Sequence, residues 1–345
     1  MSKCACNQVS SIDTPDINTP EIAVIGLQLI QSATFVETNY IKNIIGRALA
    51  YTKAGMPVHF RGPAGVGKTA LAMHLAAKIG RPVILLQGDE EFRTSDLVGG
   101  EHGFRFRQVV DRFVSRVYKH ESSLDKQWVD NRLTIACKYG FTLIYDEFTR
   151  SRPEANNILL HVLSERTMVM PVGVDGIESP YLKVHPNFTV IFTSNPVEYA
   201  GVYKSQDALR DRMITLDLDA YDYATEVAIT QKKSDLSKSD AEIIVNIVSE
   251  LRKIDSCEFG CSIRSCIKIA KVLASEGITP IIKNKDIIQT CVDVLVSELN
   301  SSAAGKNKNI IKKNTEEIIK KCIQLNEHVL SAKSLEKMQG QESNG

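Results

Sequence analysis

Gly62-Pro63-Ala64-Gly65-Val66-Gly67-Lys68-Thr69 is the stretch that decides how this chain is read. It fits the phosphate-binding pattern G-x-x-x-x-G-K-[ST], in which each residue type has a physical task. The glycines let the backbone curl so that successive N–H groups point inward as an anion-binding nest. Lys68 brings a positive charge to the β- and γ-phosphates, and the Thr69 hydroxyl is a hard oxygen ligand for Mg²⁺. The flanks give the motif its context. Pro57-Val58-His59-Phe60 reads as a short buried strand entering the loop, and 69–79 reads as a helix. Gly80 stands at the C′ position of that helix and Pro82 just beyond it. The positive end of the helix then faces the phosphates. Gly62, Pro63, Ala64, Gly65, Val66, Gly67, Lys68 and Thr69 are therefore the expected nucleotide contacts.

Further apolar runs place chemistry at the same level. Phe141-Thr142-Leu143-Ile144-Tyr145 is a strand that delivers Asp146 and Glu147 at its C-terminal end, where open parallel sheets bind ligands. Asp146 would hold Mg²⁺ through water, and Glu147 would act as general base towards the attacking water. Phe188 to Thr193 is another strand, ending in Ser194-Asn195-Pro196. Asn195 then lies at the same edge, placed to orient the water beside the γ-phosphate, although an Asn before Pro is also a common turn residue. Val83 to Leu86 is a second strand, and Asp207-Ala208-Leu209-Arg210-Asp211-Arg212 precedes the last one, Met213 to Leu218.

Elsewhere the chain reads more plainly. Residues 1–34 are a polar, Pro-bearing tail, and a helix begins at Thr38 with Ile41, Ile44, Ile45 and Ala48 at helical spacing. Phe104-Arg105-Phe106-Arg107 would suit base stacking or a short hairpin. Trp128 to Tyr139 reads as a helix closed by Gly140, and a helix with Pro in its first turn starts at Ser151-Arg152-Pro153-Glu154. After residue 219 only helices follow, near 222–233, 239–254, 263–275 and 285–299, with Ser262 and Asn284 as candidate N-caps. That change of character divides the chain into a tail (1–34), an αβα nucleotide-binding domain (35–218), a helical domain (219–300) and a terminal linker, helix and tail (301–345).

Composition sets the outer limits. A chain of 345 residues with 43% hydrophobic and 24% charged content has room for two domains and a full core. The formal net charge of +1 gives no global field towards nucleic acid or membrane. Eight cysteines are scattered without a C-x-x-C pair, as expected of reduced thiols in a reducing compartment. The early apolar run from Ile22 to Ile30 is far too short to span a bilayer and lacks a cationic start, so a soluble cytoplasmic protein is expected.

With Asp146-Glu147, Asn195, Arg212 and Arg264 in register behind the phosphate loop, the chain resembles the AAA+ ATPases, in particular their MoxR branch. Gly260-Cys261-Ser262-Ile263-Arg264 matches that family's G-x-S-x-R setting, and Arg212 matches its arginine finger, with Arg210 a second candidate. Within the branch, stretches 48–74, 128–157 and 192–213 closely resemble the gas vesicle N family, and the resemblance spans about residues 35–275. It implies an α/β P-loop fold, a doubly wound, mainly parallel sheet with a C-terminal all-helical lid, and ATP with Mg²⁺ at the seam. It further implies Glu147, Asn195, Arg212 and Arg264 as catalytic residues, and a homo-oligomeric ring, a hexamer. The implied role is ATP-driven remodelling or delivery of gas vesicle shell or accessory proteins, without nucleic acid or membrane as partner. A nucleotide-gated, weakly hydrolysing component of the shell is the alternative. A nucleic-acid motor would call for clustered Lys/Arg on one face, and no clustered basic helix is seen.

Overall fold

A computed structural model describes residues 35–102, 105–108, 120–123, 127–170, 179–195, 207–253, 261–278, 285–302, 316–322 and 324. The readings of the 1–34 tail, of Gly260, of Asn284 as a cap and of residues after 335 lie outside these.

The chain runs α1 (Asn39–Lys53), β1 (Val58–Arg61), α2 (Lys68–Ile79), β2 (Val83–Gln87), α3 (Thr94–Val98), β3 (Gly99–His102) and β4 (Arg105–Gln108). It continues through β5 (His120–Ser123), β6 (Gln127–Asp130), α4 (Arg132–Tyr139), β7 (Thr142–Asp146) and a 3-10 turn, Phe148–Arg150. Then come α5 (Pro153–Asn156), α6 (Ile158–Ser164), β8 (Thr167–Val169), β9 (Tyr181–Lys183), β10 (Thr189–Ser194), α7 (Asp207–Arg210) and β11 (Ile214–Asp217). Helices α8 (Tyr223–Ser234), α9 (Lys238–Arg252), α10 (Ile263–Glu276) and α11 (Lys285–Ser302) follow, with a further helical segment at 316–322.

Five of the strands form one parallel sheet in the order β11-β1-β10-β7-β2. The expected doubly wound α/β sheet is thus present, and a helical C-terminal region follows it. The strands are near-continuous apolar runs because both faces are covered, as parallel sheets require. Alternation decides which face each residue serves. Ile144 and Ile191 pack with α1 and α2, whereas Leu143, Tyr145, Val190 and Phe192 pack with α4 and α6. The chain order reverses across β1, between β10 and β11, so the crevice at the C-terminal ends of β1, β10 and β7 is the natural ligand position. On α1 the Thr38 hydroxyl accepts the Ile41 N–H, and Ile41, Ile44, Ile45 and Ala48 form its buried stripe. The C-terminal helices close a core of their own around Ile244, Ile247, Val248, Ile269, Leu273 and Leu295.

Three local readings change. Gln127–Asp130 is a strand paired antiparallel with β3, so the helix read from Trp128 starts only at Arg132. Of the Phe-Arg alternation, Phe104 lies outside the described residues, and Arg105–Arg107 fall in β4, which pairs antiparallel with β5, in keeping with the hairpin reading. The helix after Pro153 breaks at Asn157 into α5 and α6, and α11 runs to Ser302, into the polar run read as a linker.

Candidate nucleotide site

Lys68 opens α2 and is 7% exposed. Its Nζ donates to Gly62 O (2.9 Å), Pro63 O (2.7 Å) and Asn195 Oδ1 (2.8 Å). The loop and the end of β10 therefore share one cation. Burial above all pushes the Lys68 ammonium down to about 8; the carboxylates of Glu147 and Asp146 oppose this, and the Arg264 guanidinium adds to it. Arg264 thus acts electrostatically on the loop from α10. Asn195 is 7% exposed at the position the strand reading gave it.

The next residue, Thr69, donates to both carboxylate oxygens of Asp146, at 2.9 and 3.0 Å. Asp146 ends β7 and also accepts from Thr193 Oγ1 at the end of β10. Glu147 follows in left-handed backbone, φ 51°, a conformation that costs a non-glycine residue about 1–2 kcal/mol. Three contacts hold it there. Its N–H donates to Thr193 Oγ1 at 2.9 Å, and its carbonyl accepts the Arg150 N–H at 2.9 Å. Gly88 lies so close that an added Cβ would sit 2.1 Å from the Glu147 carbonyl oxygen, so only glycine fits beside this turn. The Glu147 carboxylate pairs with Arg150 at 2.7 Å. Below the turn, the buried Tyr145 hydroxyl bonds Ser151 Oγ (2.7 Å) and Asn156 Oδ1 (3.0 Å), and Ser151 Oγ also accepts from Asp89 N (3.1 Å).

His59, at the centre of β1, lies 2.8 Å from Ser194 Oγ and 3.1 Å from Thr215 Oγ1. Burial first, then the Arg61 charge, lowers its pKa to about 3, so the ring is neutral at ordinary pH.

Of the residues expected from sequence, the phosphate loop, Asp146, Glu147 and Asn195 come together directly, and Arg264 lies beside the loop, its Cβ 3.6 Å from where a Cβ on Gly65 would sit. Arg212 does not join this group through any hydrogen bond to the loop: it donates to Ser164 Oγ at the end of α6 and to the Ala208 carbonyl. Thr193, Gly88 and Arg150 were missed. For Thr193 there was a signal, because a hydroxyl one step beyond the Phe192–Tyr145 register pair stands opposite Asp146.

The AAA domain (dynein-related subfamily) matches residues 57–213. The gas vesicle ATPase GvpN of Ancylobacter aquaticus is 46% identical over 267 residues, covering 77% of this chain and 74% of that protein. GvpN of Haloferax mediterranei is 42% identical, over 77% of this chain and 75% of that one. Among solved structures, the Thermotoga maritima RuvB Holliday junction branch migration motor matches at TM-score 0.44 and 18% identity, over 76% of this chain and 70% of that one. No described helix is long and apolar enough to cross a membrane. The chain belongs to the gas vesicle ATPase GvpN family of AAA+ ATPases, with MoxR-like relatives.

Proposed function

We propose that this ATPase, working in the cytoplasm as a homo-oligomeric ring, uses ATP with Mg²⁺ to remodel or deliver shell proteins during gas vesicle assembly. The observation that carries the reading is the convergence of Lys68, Thr69, Asp146 and Asn195 on one sheet edge, with Glu147 next to them. Mg²⁺ fits the donor chemistry, since the Thr69 hydroxyl and the Asp146 carboxylate are hard oxygens already 2.9 Å apart. Among the described residues no group of three or more His, Cys, Asp or Glu could hold a metal alone, so phosphate oxygens would complete its shell. When bound, Mg²⁺ offsets charge on the phosphate oxygens. Lys68 would turn from its loop carbonyls to the β- and γ-phosphates, while Asn195 orients the attacking water. Glu147 would take that water's proton. Arg264 would act on ATP held by its own subunit, and Arg212 would reach the γ-phosphate of a neighbour. The family name supports the gas vesicle context, and shell or accessory proteins are the proposed clients.

Glu147→Gln keeps the size and hydrogen bonding of the side chain but cannot accept the proton. It should bind ATP, retain it, and hydrolyse about 10²–10⁴-fold more slowly. The same variant should co-purify with gas vesicles and their shell components in the native host. Hydrolysis at the wild-type rate removes Glu147 from the mechanism. A wild type that binds ATP but never turns over, even with partners, fits a nucleotide-gated shell component instead.

A further inference from the structure

Helix α8 is tied to the sheet body at its start: Thr38 Oγ1, at the cap of α1, lies 2.7 Å from Thr225 Oγ1. The next residue, Glu226, is 3% exposed. Its Oε1 accepts from Arg252 Nη2 at 2.9 Å, and the same guanidinium donates from Nε to the Cys261 carbonyl at 3.0 Å. Cys261 leads into α10, where the Ser262 hydroxyl caps the helix and accepts the Arg264 N–H. This turn touches the phosphate loop. An added Cβ at Gly65, itself at φ +86°, would lie 2.2 Å from Ser262 Oγ and 3.6 Å from Arg264 Cβ. Between loop and turn is a cavity of roughly 220 Å³, with Pro63 and Val66 on one side, Ser262 and Ile263 on the other, and Glu226 with Arg252 in its wall.

A buried ion pair is weak evidence of stabilisation, because the desolvation cost rivals the attraction. Apolar residues of similar volume would serve the helical core at least as well. What they could not supply is a planar fork that holds a carboxylate and a backbone carbonyl at fixed angles. The chain of contacts Thr38–Thr225, Glu226–Arg252–Cys261 and Ser262–Gly65 starts and ends on the body that carries the phosphate loop.

We propose that Glu226 and Arg252 are positioning residues, which fix the Cys261–Arg264 turn against the phosphate loop and thereby aim Arg264 at the nucleotide. This rests on the reading of Arg264 as a group that acts on ATP.

The test is a cycle of full-length proteins: wild type, Arg264→Ala, the paired replacement Glu226→Leu/Arg252→Met, and all three changes together. Replacing both charges at once leaves no unpaired ion in the core, so the fold should persist. Arg264→Ala should lower kcat by about 10²-fold or more, as for loss of one transition-state donor. The paired replacement should lower kcat by a similar factor, and the triple variant should be no slower than Arg264→Ala alone. Independent effects would multiply instead. Arg252→Lys, which keeps the charge but loses the fork, should fall between wild type and the paired variant, and it carries the test if the paired variant does not fold. A paired variant, or Arg252→Lys in its place, that hydrolyses at the wild-type rate overturns the positioning role, as does a loss that multiplies with that of Arg264→Ala. An Arg264→Ala protein with wild-type kcat overturns the reading of Arg264 and the inference with it.

Discussion

Thr193→Val is the substitution that asks most directly how the Asp146–Glu147 turn is held. Thr193 is 0% exposed, and its hydroxyl both donates to Asp146 and accepts the Glu147 N–H at 2.9 Å. Valine keeps the shape and removes both bonds. The Glu147 N–H would lose its acceptor at a residue already in left-handed backbone, and an orphaned donor costs about 1–3 kcal/mol. The bond to a charged carboxylate adds about 1.5–3 kcal/mol, offset by roughly 0.8 kcal/mol for the extra buried methyl. The expected net loss is about 2–5 kcal/mol of folding free energy. Catalysis should suffer separately, because a shift of about 1 Å in a positioned group can cost about 10²-fold in rate. Urea unfolding, steady-state ATP hydrolysis and ATP affinity, measured on one preparation, distinguish the two effects. Thr193→Ser keeps the hydroxyl and should recover most of the rate. A valine variant with wild-type stability and turnover refutes the claim that this hydroxyl anchors the turn.

Lys68→Ala should abolish the stabilisation by ATP–Mg²⁺ that the wild type gains, about 2.7 kcal/mol at a hundredfold excess over Kd; equal melting shifts would contradict the assignment. Arg212→Ala mixed with Lys68→Ala should recover hydrolysis that neither has alone, since one subunit's intact loop can meet the next subunit's Arg212. A mixture that stays at background despite verified mixed oligomers excludes a trans-acting Arg212. His59, with a folded pKa of about 3 against 6.5 unfolded, stabilises fully above pH 6.5 and loses that contribution as pH falls, because only the unfolded chain takes up the proton. The loss should reach about 2 kcal/mol at pH 5, and His59→Gln should flatten it; an unchanged acid slope in urea titrations counts against a neutral buried imidazole.

Much of the site was legible in the sequence because the chemistry follows the strands. Asp146 and Asn195 each stand just after an apolar run, and in a parallel sheet all such ends share one edge. The Ser262 cap was legible for a similar local reason, since a serine before an apolar periodic run has one obvious task. What stayed hidden depends on partners far away in the chain. Gln127–Asp130 pairs with Gly99–His102, and nothing within its own neighbourhood distinguishes it from the first turn of α4. Gly88 looks like an ordinary loop glycine until Glu147 is placed beside it. Glu226 and Arg252 lie on separate helices, each an unremarked charge in its own stretch. Arg212 stands next to Asp211 in the chain, yet its hydrogen bonds go to Ser164, far off in sequence, and to Ala208.

The charged groups of the site satisfy one another. Lys68 has three oxygen acceptors, Asp146 has two hydroxyl donors, and Glu147 has Arg150. On the proposed roles, ATP binding is therefore an exchange of partners rather than the filling of a bare electrostatic hole. Its affinity is the phosphate interaction less what Lys68 gives up, and a hydrogen bond to a charged group is worth about 1.5–3 kcal/mol net. On the proposed role of Asn195, its release is the useful one, since the amide freed by Lys68 would then be available to orient the attacking water. Glu147 is different. Its pair with Arg150 is half-exposed, in the range worth about 0–1 kcal/mol, so opening it is a small step compared with proton transfer. On these roles the cost of binding would fall on Lys68, whereas the left-handed turn at Glu147 is held by Thr193 and Gly88, neither of which bonds Lys68.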